Sequence, residues 1–163
     1  MRTITTFYGI KIYLSCIGCE IAGGVLKDYC GSLIKKKYFH AHQDLEIGLP
    51  GFIIISSLRH ISSIAEFSSQ EQSEFISMIT SIRRAQLHCG FKEVYIFQNE
   101  NSVDHFHTWL FPIHQKMKKH GLEGISLLSV ALKELKNKTI TYNNTEVFSM
   151  LEKLKLYLSD NVA

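Results

Sequence analysis

The sequence predicts an α+β protein in which antiparallel strands pack against one long helix and further helices follow toward the C-terminal end. Three observations carry that prediction. Short apolar runs bounded by turn residues recur at 31–42, 51–55, 93–98 and 105–113. A capped segment with apolar residues three and four apart fills 68–90, and two more apolar stripes at helical spacing lie beyond Pro112.

Residues 31–42 are rich in Leu, Ile, Tyr and Phe, and the turn-forming run Gly48-Leu49-Pro50-Gly51 separates them from Phe52-Ile53-Ile54-Ile55. Two adjacent antiparallel strands are the simplest reading. Ser68 and Glu71 form a capping box, Phe75, Met78, Ile79 and Ile82 follow on one helical face, and Gly90 supplies the stop. Residues 93–98 then read as a strand, 99–104 as a short polar turn and 105–113 as the strand returning beside it. In the tail, Leu128, Ala131, Leu132 and Leu135 make one helical stripe, and Val147, Leu151, Leu154 and Leu158 a second. They read as packing helices of the same domain, an extension over about 121–160.

A chain of 163 residues, 45% hydrophobic and 20% charged, is long enough for one good core, so a single domain over 1–163 is expected. The net charge of +3 and a pI near 8.6 fall short of the basic bias of a nucleic-acid binder; an anionic small molecule fits better. No apolar run approaches the ~18 residues of a membrane span, and Arg2 and Lys11 spoil a signal-peptide reading. The expectation is a cytoplasmic protein with no membrane partner and no specific nucleic acid. In that compartment Cys16 and Cys19 read as a metal or redox pair, Cys30 and Cys89 as ordinary thiols. The sequon-like triplets at Asn137 and Asn143 carry no weight without secretion.

The chemistry concentrates in His105-Phe106-His107-Thr108-Trp109-Leu110-Phe111-Pro112. In a strand, His105, His107 and Trp109 share one face while Phe106, Thr108 and Leu110 line the other. Cys16-Ile17-Gly18-Cys19 supplies two thiolates at a spacing zinc accepts, and His60 and His105 are the best placed imidazoles to complete a tetrahedral set. Redox chemistry and plain packing stay open for the cysteine pair, although thioredoxin-like context is missing. His107 is the candidate nucleophile: a neutral imidazole attacks phosphorus without an activating base, provided its other nitrogen is held. Asn99 and Ser102 can donate to phosphate oxygens, or can be there because turns favour Asn and Ser.

Other features have plainer readings. Lys35-Lys36-Lys37 protects a strand edge, and Lys116, Lys118, Lys119 and His120 read as a solvated cluster. His40 and His42 alternate with Phe39 and Ala41 along a strand, facing either the site or water, with water the simpler reading. Phe39 and Phe52 can stack on a base, but core packing is the stronger expectation.

Over roughly residues 13–113 the chain resembles the histidine triad (HIT) superfamily. The likeness rests on Ser102-Val103-Asp104-His105-Phe106-His107-Thr108-Trp109-Leu110-Phe111, on the opening Cys16-Ile17-Gly18-Cys19-Glu20-Ile21-Ala22-Gly23, on Asp44 before a turn, and on the apolar strand from Gly51 that ends at Arg59-His60. The resemblance implies an α+β fold with an antiparallel sheet and a long helix. It also implies a homodimer that binds nucleotides, and hydrolysis or transfer of a nucleoside monophosphate through a nucleotidyl-histidine at His107. It implies structural zinc held by Cys16, Cys19, His60 and His105, with Asn99, Ser102 and Trp109 on the substrate side. Trp109 stands where the family has its third histidine; its indole offers one donor and no titrating group. The 99–104 turn is also shorter than the family's glycine-rich loop. The alternative reading is therefore a zinc-stapled nucleotide-binding or regulatory domain with weak catalysis or none.

Overall fold

The computed structural model describes residues 2–24, 31–100, 105–118 and 121–161. The elements run β1 (Arg2–Thr5), β2 (Lys11–Leu14), α1 (Ile17–Ala22), β3 (Ser32–Lys35), β4 (Phe39–Gln43), β5 (Ile53–Ser57), α2 (Ser69–His88), β6 (Val94–Phe97), β7 (His107–Pro112), α3 (Gly124–Lys136) and α4 (Asn144–Asn161). Strands β3 to β7 form one antiparallel sheet in the order β3-β4-β5-β7-β6, and β1 pairs with β2 in a separate hairpin. The α+β class is as predicted.

Local chemistry explains the long helix. The Ser68 side chain accepts from the Glu71 backbone N–H while the Glu71 carboxylate accepts from the Ser68 N–H, closing the capping box. Gly90, at φ +95°, turns the chain away at the other end in a conformation that a side chain resists. Glu74 and Gln86 then fasten α2 to the sheet. The Glu74 carboxylate accepts from the N–H groups of Lys37, Tyr38 and Phe39, and the Gln86 amide donates to Gly51 and Leu110 carbonyls.

The segment 31–42 is not one strand but a hairpin of β3 and β4. The lysine run breaks it: Lys36 N–H bonds to the Phe39 carbonyl, and the turn is held by Glu74. The β1–β2 hairpin was not anticipated either, since strands of four residues are too short to show a period. Strand β7 starts at His107, so His105 lies just outside it. Phe106 bridges the gap, donating to the Ile61 carbonyl and accepting from the Ser57 N–H.

Strand alternation divides the sheet into two different faces. Phe39, Ala41, Ile53, Ile55 and Leu110 point to one side, where α2 and α4 cover them with Phe75, Met78, Ile82, Leu151, Leu154 and Leu158. The other side buries Phe52, Ile54 and Phe111 beneath Leu127, Leu128 and Ala131 of α3. The remainder of that second face, toward α1, carries the polar residues. Phe39 and Phe52 are fully buried core residues, as the stronger expectation had it. No helix among the described residues is long and apolar enough to cross a membrane.

Candidate functional site

Cys16 directly precedes α1 and Cys19 lies within it, so one short helix carries both thiols. His60 follows β5 and His105 precedes β7. The antiparallel pairing of those strands, with Ser56 opposite His107, brings the two imidazoles together although 45 residues separate them. Cys16 Sγ lies 3.8 Å from His60 Nδ1 and 3.4 Å from His105 Nδ1; Cys19 Sγ lies 3.2 and 3.5 Å from the same atoms. The two Nδ1 atoms are 3.3 Å apart. All four donor atoms fall within 4.8 Å of one another, a group that can hold a metal ion.

The tautomer of His105 follows from its contacts. Its Nε2 faces the Ser57 carbonyl at 2.9 Å, and a carbonyl only accepts, so Nε2 carries the proton and Nδ1 turns a lone pair toward the sulfurs. Burial holds the His105 pKa below the usual value. Burial, then the hydrogen bond with Cys16, pushes the Cys19 thiol up. Gly18 is a structural requirement: a Cβ placed there would stand 2.3 Å from His105 Cδ2 and 2.5 Å from two other ring atoms. The α1 backbone lies directly against the imidazole.

Beside this cluster opens a pocket of about 160 Å³. His107, Trp109, Ile54, Ser56 and His42 rise into it from the sheet, Ile17 and Gly18 form one rim, and Asp44, Leu45 and Glu46 another. Cross-strand register makes rows of His40–Ser56–His107 and His42–Ile54–Trp109. His107 Nδ1 donates to the His105 carbonyl at 3.0 Å, which leaves Nε2 with a bare lone pair. Trp109 is half-buried, edge-on to Phe52 and tilted against Phe97. The Asp44 side chain accepts from the N–H groups of Glu46 and Ile47, yet burial outweighs those bonds and raises its pKa to about 7.

No family model matches this sequence, and no curated protein resembles it significantly. Solved structures do. A zinc-bound histidine triad family protein from Mycobacterium smegmatis superposes with a TM-score of 0.62 at 14% identity, over 90% of this chain and 94% of that one. The fold is the histidine triad fold. A HIT-like protein from Bartonella henselae, described as involved in cell-cycle regulation, gives 0.58 at 12% identity over 85% and 95% of the two chains. A HIT family member from Bacillus subtilis gives 0.57 at 17% identity over 80% and 100%.

Within this histidine triad fold the expected metal set is brought together as one cluster, and His107 and Trp109 line the neighbouring pocket. Asn99 lies just past β6, half-buried and outside the residues that line the pocket. Ser102, and with it Asn101, Val103 and Asp104, lies outside the described residues, as do Cys30, Lys119 and His120. His40 and His42 correct the reading that they face water: they are only 4% and 3% exposed. Both are buried on this side of the sheet, and strand alternation alone does not reveal which face is covered. Sequence reasoning also missed Gly18, Ile54 and Ser56 as site residues. The period-two pattern through 39–43 held the signal for His42, but the register linking β4 to β7 through β5 did not exist in the sequence.

Proposed function

We propose that this protein binds a nucleoside phosphate in the pocket beside His107 and hydrolyses or transfers its nucleoside monophosphate group through a nucleotidyl-histidine at that residue. The observation that carries the reading is the pinned tautomer. With Nδ1–H held by the His105 carbonyl, Nε2 is the free lone pair, and the ring can rotate little as it reacts. Nε2 forms the N–P bond as the bond from phosphorus to the leaving group breaks and its electron pair departs with that group. The ring, cationic at that stage, keeps its Nδ1–H on a carbonyl that stabilises it. Water or another acceptor then breaks the N–P bond and restores the imidazole.

The Cys/His cluster supports zinc as the ion it holds. Tetrahedral zinc with Zn–S about 2.3 Å and Zn–N about 2.05 Å puts S and N about 3.6 Å apart and two N atoms about 3.3 Å apart. The S···N distances of 3.2 to 3.8 Å and the N···N distance of 3.3 Å fit that set. Four protein donors leave no open position, so the role is structural: Cys16, Cys19, His60 and His105 would staple α1 to the ends of β5 and β7. Thiols that serve as ligands fit a reducing, cytoplasmic setting. Homodimer formation fits the edge strand β6, which leaves Ile96 and Phe97 exposed.

Trp109 favours a second reading, a nucleotide-binding domain without turnover, because the indole can neither give up nor take a proton. Intact-protein mass spectrometry after mixing with an adenosine phosphoramidate or a dinucleoside polyphosphate separates the two. The expected result is a nucleotidyl adduct on the wild type that His107→Ala lacks. Saturable nucleotide binding with neither adduct nor product would replace catalysis by binding alone.

A further inference from the structure

Strand β4 places an imidazole in the pocket that the proposed chemistry at His107 does not use. His42 is 3% exposed, and its ring lines the cavity with His107 and Trp109. Its Nδ1 lies 2.8 Å from the Gln43 carbonyl. That oxygen can only accept, so Nδ1 carries the proton and Nε2 is left as a lone-pair acceptor. His42 Nε2 is buried and has no hydrogen-bond partner, one of few such side-chain atoms among the described residues. An acceptor buried in this way stays unsatisfied at a cost until a donor arrives. The neighbouring ring of His40 stacks on it at 5.3 Å and 19°, which restricts rotation.

We propose that His42 is a specificity-determining residue whose Nε2 accepts a hydrogen bond from a sugar hydroxyl of the bound nucleotide. The inference rests on the nucleotide reading of the pocket. Position selects the hydroxyl from the donors a nucleotide offers. His42 and His107 stand on strands separated only by β5 and one row apart in register, so their backbones are roughly 12 Å apart, and both side chains line the same pocket. A phosphorus seated against His107 Nε2 therefore leaves the sugar, one linkage further on, opposite His42. A phosphate oxygen is excluded as the partner because it brings no proton to an acceptor nitrogen. Burial supports the same assignment by depressing the His42 pKa to about 4, which keeps the ring neutral and accepting at physiological pH.

Isothermal titration of AMP, 2′-deoxy-AMP and 3′-deoxy-AMP into wild type and His42→Leu tests the proposal. In the wild type, removing the recognised hydroxyl is expected to weaken binding about tenfold, the effect of one lost hydrogen bond. In His42→Leu, AMP is expected to bind about tenfold more weakly, with the three ligands now equal. The imidazole ¹⁵N spectrum of the wild type gives a readout that does not depend on how the variant folds. The His42 Nε2 resonance should shift upfield with AMP and stay put with the deoxy analogue that lacks the recognised hydroxyl. Equal wild-type affinities for all three ligands, or hydroxyl discrimination that survives in His42→Leu, would overturn the assignment while leaving the nucleotide reading intact. Absence of binding by all three to the wild type would overturn both.

Discussion

At the residue scale, the site depends on atoms that hold an imidazole and on one that must not be there. Gly18→Ala adds only a methyl group, yet that carbon would overlap the His105 ring. Metal content measured on the purified variant is expected to fall to well under half of the wild-type value, and His107 should lose its fixed orientation with it. The buried imidazoles also set a pH response. His40 and His42 titrate at about 3 and about 4 in the fold against 6.5 when free, chiefly because they are buried. The stability that their neutral forms confer is complete above pH 6.5 and declines as pH falls toward 4, where the unfolded chain takes up protons that the fold refuses. Asp44 works in the other direction. Its folded pKa of about 7 against 3.8 means that its contribution grows as pH falls through that range. These three groups alone, two against one, contribute a loss of about 1.4 kcal/mol per pH unit between 6.5 and 4, and His105 and His114, also held low by burial, act in the same direction. The thermal midpoint should drop on acidification, and His42→Leu should flatten the slope. An unchanged slope would assign the decline to the Cys/His cluster instead.

At the scale of elements, what was legible was whatever has a local cause. The capping box at Ser68 and Glu71, the apolar spacing through Ile82 and the glycine at 90 define α2 within a residue or two of its observed ends. The apolar stripes of α3 and α4 were equally plain, because a helix declares its buried face every third or fourth residue. What those stripes pack against was not legible: α4 joins α2 on one face of the sheet, while α3 covers part of the other. The β3–β4 reversal was hidden for a related reason, since the residue that stabilises it, Glu74, lies 35 residues away from Phe39. The packing of α4 carries its own prediction. Leu154 is fully buried against α2 and the sheet, so Leu154→Ala should cost about 3 kcal/mol in chemical denaturation. A loss below about 1 kcal/mol would mean that α4 contributes little to this core.

At the scale of the whole molecule, the Cys/His cluster joins parts of the chain that lie far apart in sequence. Its cross-links from α1 span 41 residues to His60 and 86 to His105. Chelation should lower the thermal midpoint by roughly 10 °C, as expected when a site present only in the folded state is emptied. Cys16→Ser should behave like the chelated wild type. The pattern of cysteines and histidines was visible from spacing and family likeness, but their convergence depends on β5 pairing with β7, a long-range event. The hydrogen bond from His107 to the carbonyl of His105 has a consequence for how the two centres communicate. His105 faces the Cys/His cluster with its ring and holds His107 with its backbone, so an ion bound in the cluster would fix the carbonyl that orients His107. If the proposed nucleotide binds more tightly when the cluster holds an ion, thermodynamic reciprocity requires that it strengthen the grip on that ion by the same factor. Metal withdrawal would then act as remote inhibition, and a chelator is expected to weaken nucleotide binding in a pocket that it never enters.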